Sequence, residues 1–210
     1  HGRPSEENAH PHRDASGRVV VIHNGIIENF LPIKRELLAR GVAFASETDS
    51  EVIAQAIGAA RADDPAKPFG EVVRTVLSRM TGMYAVVVLS ADEPHALYVA
   101  KNGPPIVLGL GEGENLVASD ATALLPHTRD LVFLEDGDFV RLTATTVEVT
   151  GLDGAQRSRP ARRDAFRTMG RLGRLRETER SSSDHASPGT IPTRFRACRT
   201  GPRRWRPGSR

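Results

Sequence analysis

An unbroken apolar run, Val19-Val20-Val21-Ile22, stands between Arg18 and His23 and is followed at once by Asn24-Gly25. The run reads as a buried strand over residues 18–23, and the Asn-Gly pair as the turn that ends it. The period then changes. Phe30, Ile33, Leu37 and Leu38 share one face of a helix, with Pro32 tolerated in the first turn and Gly41 as the stop. Thr48-Asp49-Ser50-Glu51 has the form of a capping box, with Thr48 as N-cap and Glu51 at the third helical position. Ile53, Ala56, Ile57 and Ala60 continue that helix at i, i+3, i+4 and i+7. A third helix carries Phe69, Val72, Val73, Val76 and Leu77 on one face and ends near Gly82.

After Gly82 the pattern is that of strands. Short apolar runs cover residues 84–89, 96–100, 106–110 and 116–118, parted by Asp92-Glu93-Pro94 and Gly103-Pro104-Pro105. Ser119-Asp120 is placed to cap a short helix that Pro126 stops. Residues 131–134 and 139–142 flank Glu135-Asp136-Gly137-Asp138, which reads as a hairpin turn, and 147–149 closes the set. Helices early and turn-linked strands late predict an α+β architecture, an antiparallel sheet with a helical layer packed on it.

Charge divides the chain at residue 152. Residues 1–152 hold 13 Lys and Arg against 21 Asp and Glu, a net of −8. Residues 153–210 hold 16 Arg, no Lys and five acids, a net of +11. Valine occurs 18 times before the break and nowhere after it. Residues 153–210 are therefore expected to be a disordered tail, poor in the apolar groups that offset ordering entropy. Two readings of this tail stand: an arm that binds nucleic-acid phosphates, or GC-rich DNA translated out of frame. The excess of Arg over Lys favours the second, and nucleic acid is not an expected partner. The longest apolar run, 83–89, has seven residues, so no membrane-spanning helix is expected. The opening His1-Gly-Arg-Pro4 lacks a Met and an apolar segment, so a fragment without a signal peptide is expected.

Several residues could carry chemistry. His1, His10, His12 and His23 invite a metal site, but no cysteine or suitably spaced carboxylate joins them, and none is expected. Gly109-Leu-Gly-Glu-Gly113 lacks the Lys and the helix of a phosphate loop and reads as a strand turn. Asn24 and Gly25, after a buried strand, could aim a side-chain amide and a backbone N–H at one point, as an oxyanion hole does; equally, Asn-Gly is a common turn. Asp49, first in a capped helix, could favour the helix dipole or hold an ammonium group.

Seven blocks, taken in order, resemble one family. They are His1-Gly-Arg-Pro-Ser-Glu-Glu-Asn-Ala-His-Pro-His12, Val20-Val-Ile-His-Asn-Gly-Ile-Ile-Glu-Asn29, Ser46-Glu-Thr-Asp-Ser-Glu-Val-Ile53, Gly109-Leu-Gly-Glu-Gly-Glu-Asn115, Ala118-Ser-Asp120, Leu125-Pro-His-Thr-Arg129 and Phe133-Leu-Glu-Asp-Gly137. The resemblance is to the class II glutamine amidotransferase domain of the glutamine–fructose-6-phosphate aminotransferases, over residues 1–152. It implies an Ntn-hydrolase fold, a four-layer αββα sandwich incomplete at the N-terminus. It implies hydrolysis of glutamine by an N-terminal cysteine, and cytoplasmic, homo-oligomeric full-length members with no metal or organic cofactor. The ammonia serves sugar-isomerase domains that make glucosamine 6-phosphate from fructose 6-phosphate. Asn24 and Gly25 match the family's oxyanion hole, Asp49 its acid for the glutamine ammonium, and His1 a residue lining the glutamine pocket. The first residue here is His1 and Cys198 lies in the Arg-rich tail, so this polypeptide alone is expected to be inactive. The related phosphoribosyl pyrophosphate amidotransferases share Asn-Gly and an Asp on a similar helix and are the alternative within enzymes.

Overall fold

The computed structural model describes residues 3–163. Strand β1 (His12–Arg13) leads into β2 (Val19–Ile27), followed by helices α1 (Phe30–Ala39), α2 (Asp49–Asp63) and α3 (Phe69–Leu77). Strands β3 (Gly82–Ser90), β4 (Ala96–Asn102), β5 (Val107–Leu110) and β6 (Asn115–Ala118) come next. A 3₁₀ turn (Ala121–Ala123), β7 (Asp130–Phe133), β8 (Asp138–Thr143), β9 (Val147–Gly151) and β10 (Arg162–Arg163) complete the described chain. One antiparallel sheet runs β1-β2-β3-β4-β8-β9 and a second β10-β7-β5-β6.

The layers follow from which faces are apolar. Val19, Val21, Val86, Val88, Tyr98 and Ala100 point from the first sheet toward Ile53, Ile57, Phe69, Val73 and Leu77 of the helices. Its other face meets the second sheet through Val99, Val140 and Leu142 against Leu108, Val117 and Val132. The outer face of the second sheet is covered, among the described residues, by Leu124 and the 3₁₀ turn, packed on Val107, Leu116 and Leu131. The three longer predicted helices hold, the third ending at Leu77 and not near Gly82, while the short helix expected after Asp120 is a 3₁₀ turn over Ala121–Ala123; Thr48 caps α2 by accepting from the Glu51 N–H at 3.3 Å. Leu38, expected on the buried face of α1, is half exposed; the buried stripe there runs through Phe30, Ile33 and Leu37.

Three local expectations change. Asn24-Gly25 does not end a strand: β2 pairs with β3 without a break from Val19↔Ser90 to Ile27↔Gly82. Long-range pairing outweighs the turn preference of the dipeptide, and Gly25 absorbs the conflict with φ +130°. A Cβ at Gly25 would lie 2.1 Å from the Met83 carbonyl oxygen, so only glycine lets the two strands approach this closely. Residues 135–138 do not close a hairpin either. They carry the chain from β7 in one sheet to β8 in the other.

Third, order does not stop at residue 152. Gln156 bridges to Thr150, the Arg157 N–H donates to the Val149 carbonyl, and β10 pairs with β7. Arg157 and Arg159 close on Asp138, whose side chain is wholly buried. The charge break therefore precedes the end of the folded unit, because those arginines neutralise a carboxylate in the body. The remainder of the expected tail, with Cys198, lies outside the described residues.

Candidate functional site

The end of β2 and the start of α2 meet at one edge of the first sheet. β1 is only two residues long and lies opposite Val20 and Val21. Beyond Val21, no described strand pairs with β2 on that side. Backbone N–H groups alternate along a strand, which settles where those of the open edge point. The Val19 N–H points to the β1 side, where it donates to the Asp14 carboxylate at 2.8 Å. The Ile27 N–H points the same way and donates to Asp49 Oδ2, also at 2.8 Å. By the same alternation the Gly25 N–H turns to this side, two residues before the Ile27 N–H that Asp49 accepts. Asn24 and Gly25 are both exposed there.

Asp49 is 3% exposed and stands in the first turn of α2. A network on the same turn holds it in place. Glu51 accepts from the Ala45 N–H at 2.8 Å, the Ser46 N–H at 2.6 Å, the Ser46 hydroxyl at 2.7 Å and the Gln55 amide at 3.1 Å. Burial pushes the Glu51 carboxyl up, but these hydrogen bonds together outweigh it and leave it below its ordinary range. The capping box is thus half realised: Thr48 caps as expected, while Glu51 reaches the preceding loop instead of the Thr48 N–H. The Thr48 hydroxyl also meets His12 Nε2 at 3.1 Å, and Gln55 accepts from the Ala15 N–H, so α2 is latched to the β1 segment.

Three histidines surround this point. His23, on β2, meets the Ser50 hydroxyl through Nδ1 at 2.8 Å. His10 and His12 stand edge to face, 5.2 Å between ring centres. Desolvation lowers all three below the ordinary imidazole range, His23 to about 4, so the His23 ring is uncharged at neutral pH. Among the described residues no group of three or more His, Cys, Asp or Glu side chains is arranged to hold a metal ion.

The structure places Asp49 against Ile27 at the end of β2 and leaves Asn24 and Gly25 exposed on the same strand; His1 lies outside the described residues. Residue-by-residue reading missed the Ile27 N–H, the Ser50–His23 contact and the role of Glu51 as a loop anchor. Only the capping pattern hinted at the last. Among the described residues no helix is long and apolar enough to cross a membrane.

A family model and the curated relatives agree on one family. A profile described as a glutamine amidotransferase domain matches residues 3–126. A glutamine–fructose-6-phosphate aminotransferase (isomerizing) of Thermus thermophilus is 48% identical over 165 residues, covering 79% of this chain and 26% of the relative. The enzyme of the same name from Pyrococcus horikoshii is 50% identical over 142 residues, covering 66% and 23%. The chain therefore spans about a quarter of the length of these curated relatives. Among solved structures, the glutamine phosphoribosylpyrophosphate amidotransferase of B. subtilis, complexed with ADP and GMP, superposes with a TM-score of 0.59. That match is at 23% identity and covers 71% of this chain and 33% of the other. This likeness shows the fold, the layered Ntn-hydrolase sandwich.

Proposed function

The chain belongs to the glutamine amidotransferase domain family, and from that premise we propose that the β2–α2 edge binds glutamine and directs hydrolysis of its side-chain amide. The observation that carries the reading is the bond from the Ile27 N–H to Asp49 on the open side of β2; strand alternation turns the Gly25 N–H to that same side two residues earlier. Two strand residues span about 6.8 Å. The ammonium nitrogen and side-chain carbonyl oxygen of an extended glutamine are about 6 Å apart by standard bond lengths. One substrate can therefore reach both groups.

Each residue has a distinct task. Asp49 takes the α-ammonium, as a carboxylate with about four acceptor sites can beside its bond to a backbone N–H. The Asn24 amide and the Gly25 N–H donate to the carbonyl oxygen as attack turns it into an oxyanion, before the C–N bond breaks and ammonia leaves. His1 would line the pocket beside them. The attacking group in this reading is the N-terminal cysteine thiol that the resemblance implies. The names of the relatives support delivery of the ammonia to fructose 6-phosphate, giving glucosamine 6-phosphate, within a larger polypeptide that we take to be cytoplasmic and homo-oligomeric. The far higher identity to those relatives than to the phosphoribosylpyrophosphate enzyme favours this acceptor. We take the amidotransferase unit to end at the arginines that pair with Asp138, past the composition break at residue 152.

Steady-state glutaminase kinetics test the reading on a longer polypeptide that carries the N-terminal cysteine ahead of these residues. Asn24→Ala should lower kcat roughly a hundred- to a thousand-fold, because an oxyanion donor acts mainly in the transition state. Asp49→Ala should raise KM strongly, because the ammonium is held in the ground and transition states alike. A lowered melting temperature with unchanged KM for Asp49→Ala would reduce the residue to a helix-dipole partner.

A further inference from the structure

One buried side chain at this edge has no part in the chemistry above. His23 is 4% exposed, and its Nε2 is buried with no hydrogen-bond partner among the described residues. Leaving an imidazole nitrogen unpaired in the interior is costly, so the ring's position calls for a reason. Its Nδ1 bond to Ser50 Oγ at 2.8 Å is then the one hydrogen bond holding the ring among the described residues. The two partners are 27 positions apart in sequence, but each adjoins a residue of the proposed site: His23 precedes Asn24, and Ser50 follows Asp49.

We propose that His23 and Ser50 form a positioning pair that fixes the span between the amide-binding end of the site on β2 and the ammonium-binding end on α2. The inference rests on the glutamine-site reading. The Asp49–Ile27 bond ties the helix to the strand at the far end of the edge, and the His23–Ser50 bond ties it at the near end. The two ties set the local distance and angle between the end of β2 and the start of α2, within the packing and the Thr48 and Gln55 contacts that hold the helix as a whole. The groups facing the ring are Ser50 and Asp49 from α2, and His10 and His12 from the β1 side. Of the charged groups, Asp49 favours protonation of the ring, but burial, which comes first, and the two histidines oppose it. The bond is therefore one between neutral groups and stays in force across the neutral pH range.

The pair predicts a specific kinetic signature in the longer polypeptide that carries the N-terminal cysteine. Ser50→Ala should lower glutaminase kcat about tenfold and leave KM within about twofold, because Asp49 still holds the ammonium while the carbonyl loses its alignment. Ser50→Thr, which keeps the hydroxyl, should restore kcat. His23→Asn places an amide where Nδ1 stands and should keep most of the activity. His23→Gln places it where Nε2 stands and should lose as much as Ser50→Ala. The double variant His23→Gln/Ser50→Ala should be no worse than either single change.

A Ser50→Ala enzyme that melts lower but turns over normally would overturn the proposal. Equal loss in His23→Asn and His23→Gln would do the same. Should the histidine variants fail to fold, the Ser50→Ala and Ser50→Thr comparison decides alone. If Asn24→Ala and Asp49→Ala are themselves silent, the glutamine-site reading is what fails; if they act and Ser50→Ala does not, only the positioning pair fails.

Discussion

Asp138 offers the sharpest test of how far the folded unit extends. Its carboxylate is wholly buried at the start of β8. It accepts from the Glu135 N–H at 2.8 Å, from Arg157 Nη1 at 3.1 Å, and from Arg159 through Nε at 2.8 Å and Nη2 at 2.9 Å. Removing one member of a buried ion pair typically costs about 3–5 kcal/mol. Here the arginine side chains stay 28% and 18% exposed and can be hydrated once the acid is gone, so the lower end applies. Asp138→Ala should therefore destabilise by about 3 kcal/mol, a fall in melting temperature of roughly 6–12 °C for a domain of this size.

Urea unfolding of the wild type, Asp138→Ala, Arg159→Ala and the double variant gives the coupling directly. The pH dependence supplies a second reading. Burial pushes the Asp138 carboxyl up, but Arg159, the Glu135 N–H and Arg157 together hold it below its ordinary range. A carboxyl lowered in the native state stabilises fully above its unfolded value, near about 3.9, and that contribution is lost as pH falls through the lower native value. The gap between wild type and Asp138→Asn should be constant from about pH 8 to 5 and shrink below about pH 4. A loss under about 1 kcal/mol for Asp138→Ala, or a chain ending at Leu152 that melts like the wild type, would refute the argument.

Other perturbations follow from the same geometry. Gly25→Ala meets both a positive φ and the Met83 carbonyl at 2.1 Å; it should cost more than about 3 kcal/mol and lower glutaminase kcat, and a normal urea midpoint would count against the close β2–β3 crossing. Thr48→Ala removes the α2 cap and its contact with His12, and should lower stability by about 1–2 kcal/mol in thermal melts. His23, lowered to about 4 by burial, is disfavoured as a cation in the folded state. Its contribution is full above about pH 6.5 and fades by roughly 3 kcal/mol as pH falls toward about 4. His23→Asn should flatten that slope in unfolding measured from about pH 7 to 4, and an unchanged slope would assign it elsewhere.

Short-range physics is what the linear chain makes legible. The three helices and the Thr48 cap could be read because helical spacing and a capping hydroxyl act within a few residues. Asn24, Gly25 and Asp49 stood out by residue type and by the blocks around them, though each kept a structural reading beside the functional one. Packing settled the rest wherever distant segments compete with local preference. Asn24-Gly25 has the chemistry of a turn, yet nine residues of β3 pair straight across β2, and a ladder of that length outweighs one dipeptide. Residues 135–138 have turn chemistry too, but a turn does not say which sheet receives the next strand, and here it crosses between the two.

The charge break at 152 marked a change in composition and not the edge of the fold, because Arg157 and Arg159 owe their place to Asp138, 19 and 21 positions earlier. The proposed site shows the same division. Its residues could be named from the chain, but the bond from Ile27 to Asp49 and the tie from His23 to Ser50 exist only once α2 is packed against β2. Distances between groups far apart in sequence are set by packing, and no local pattern of residues encodes them.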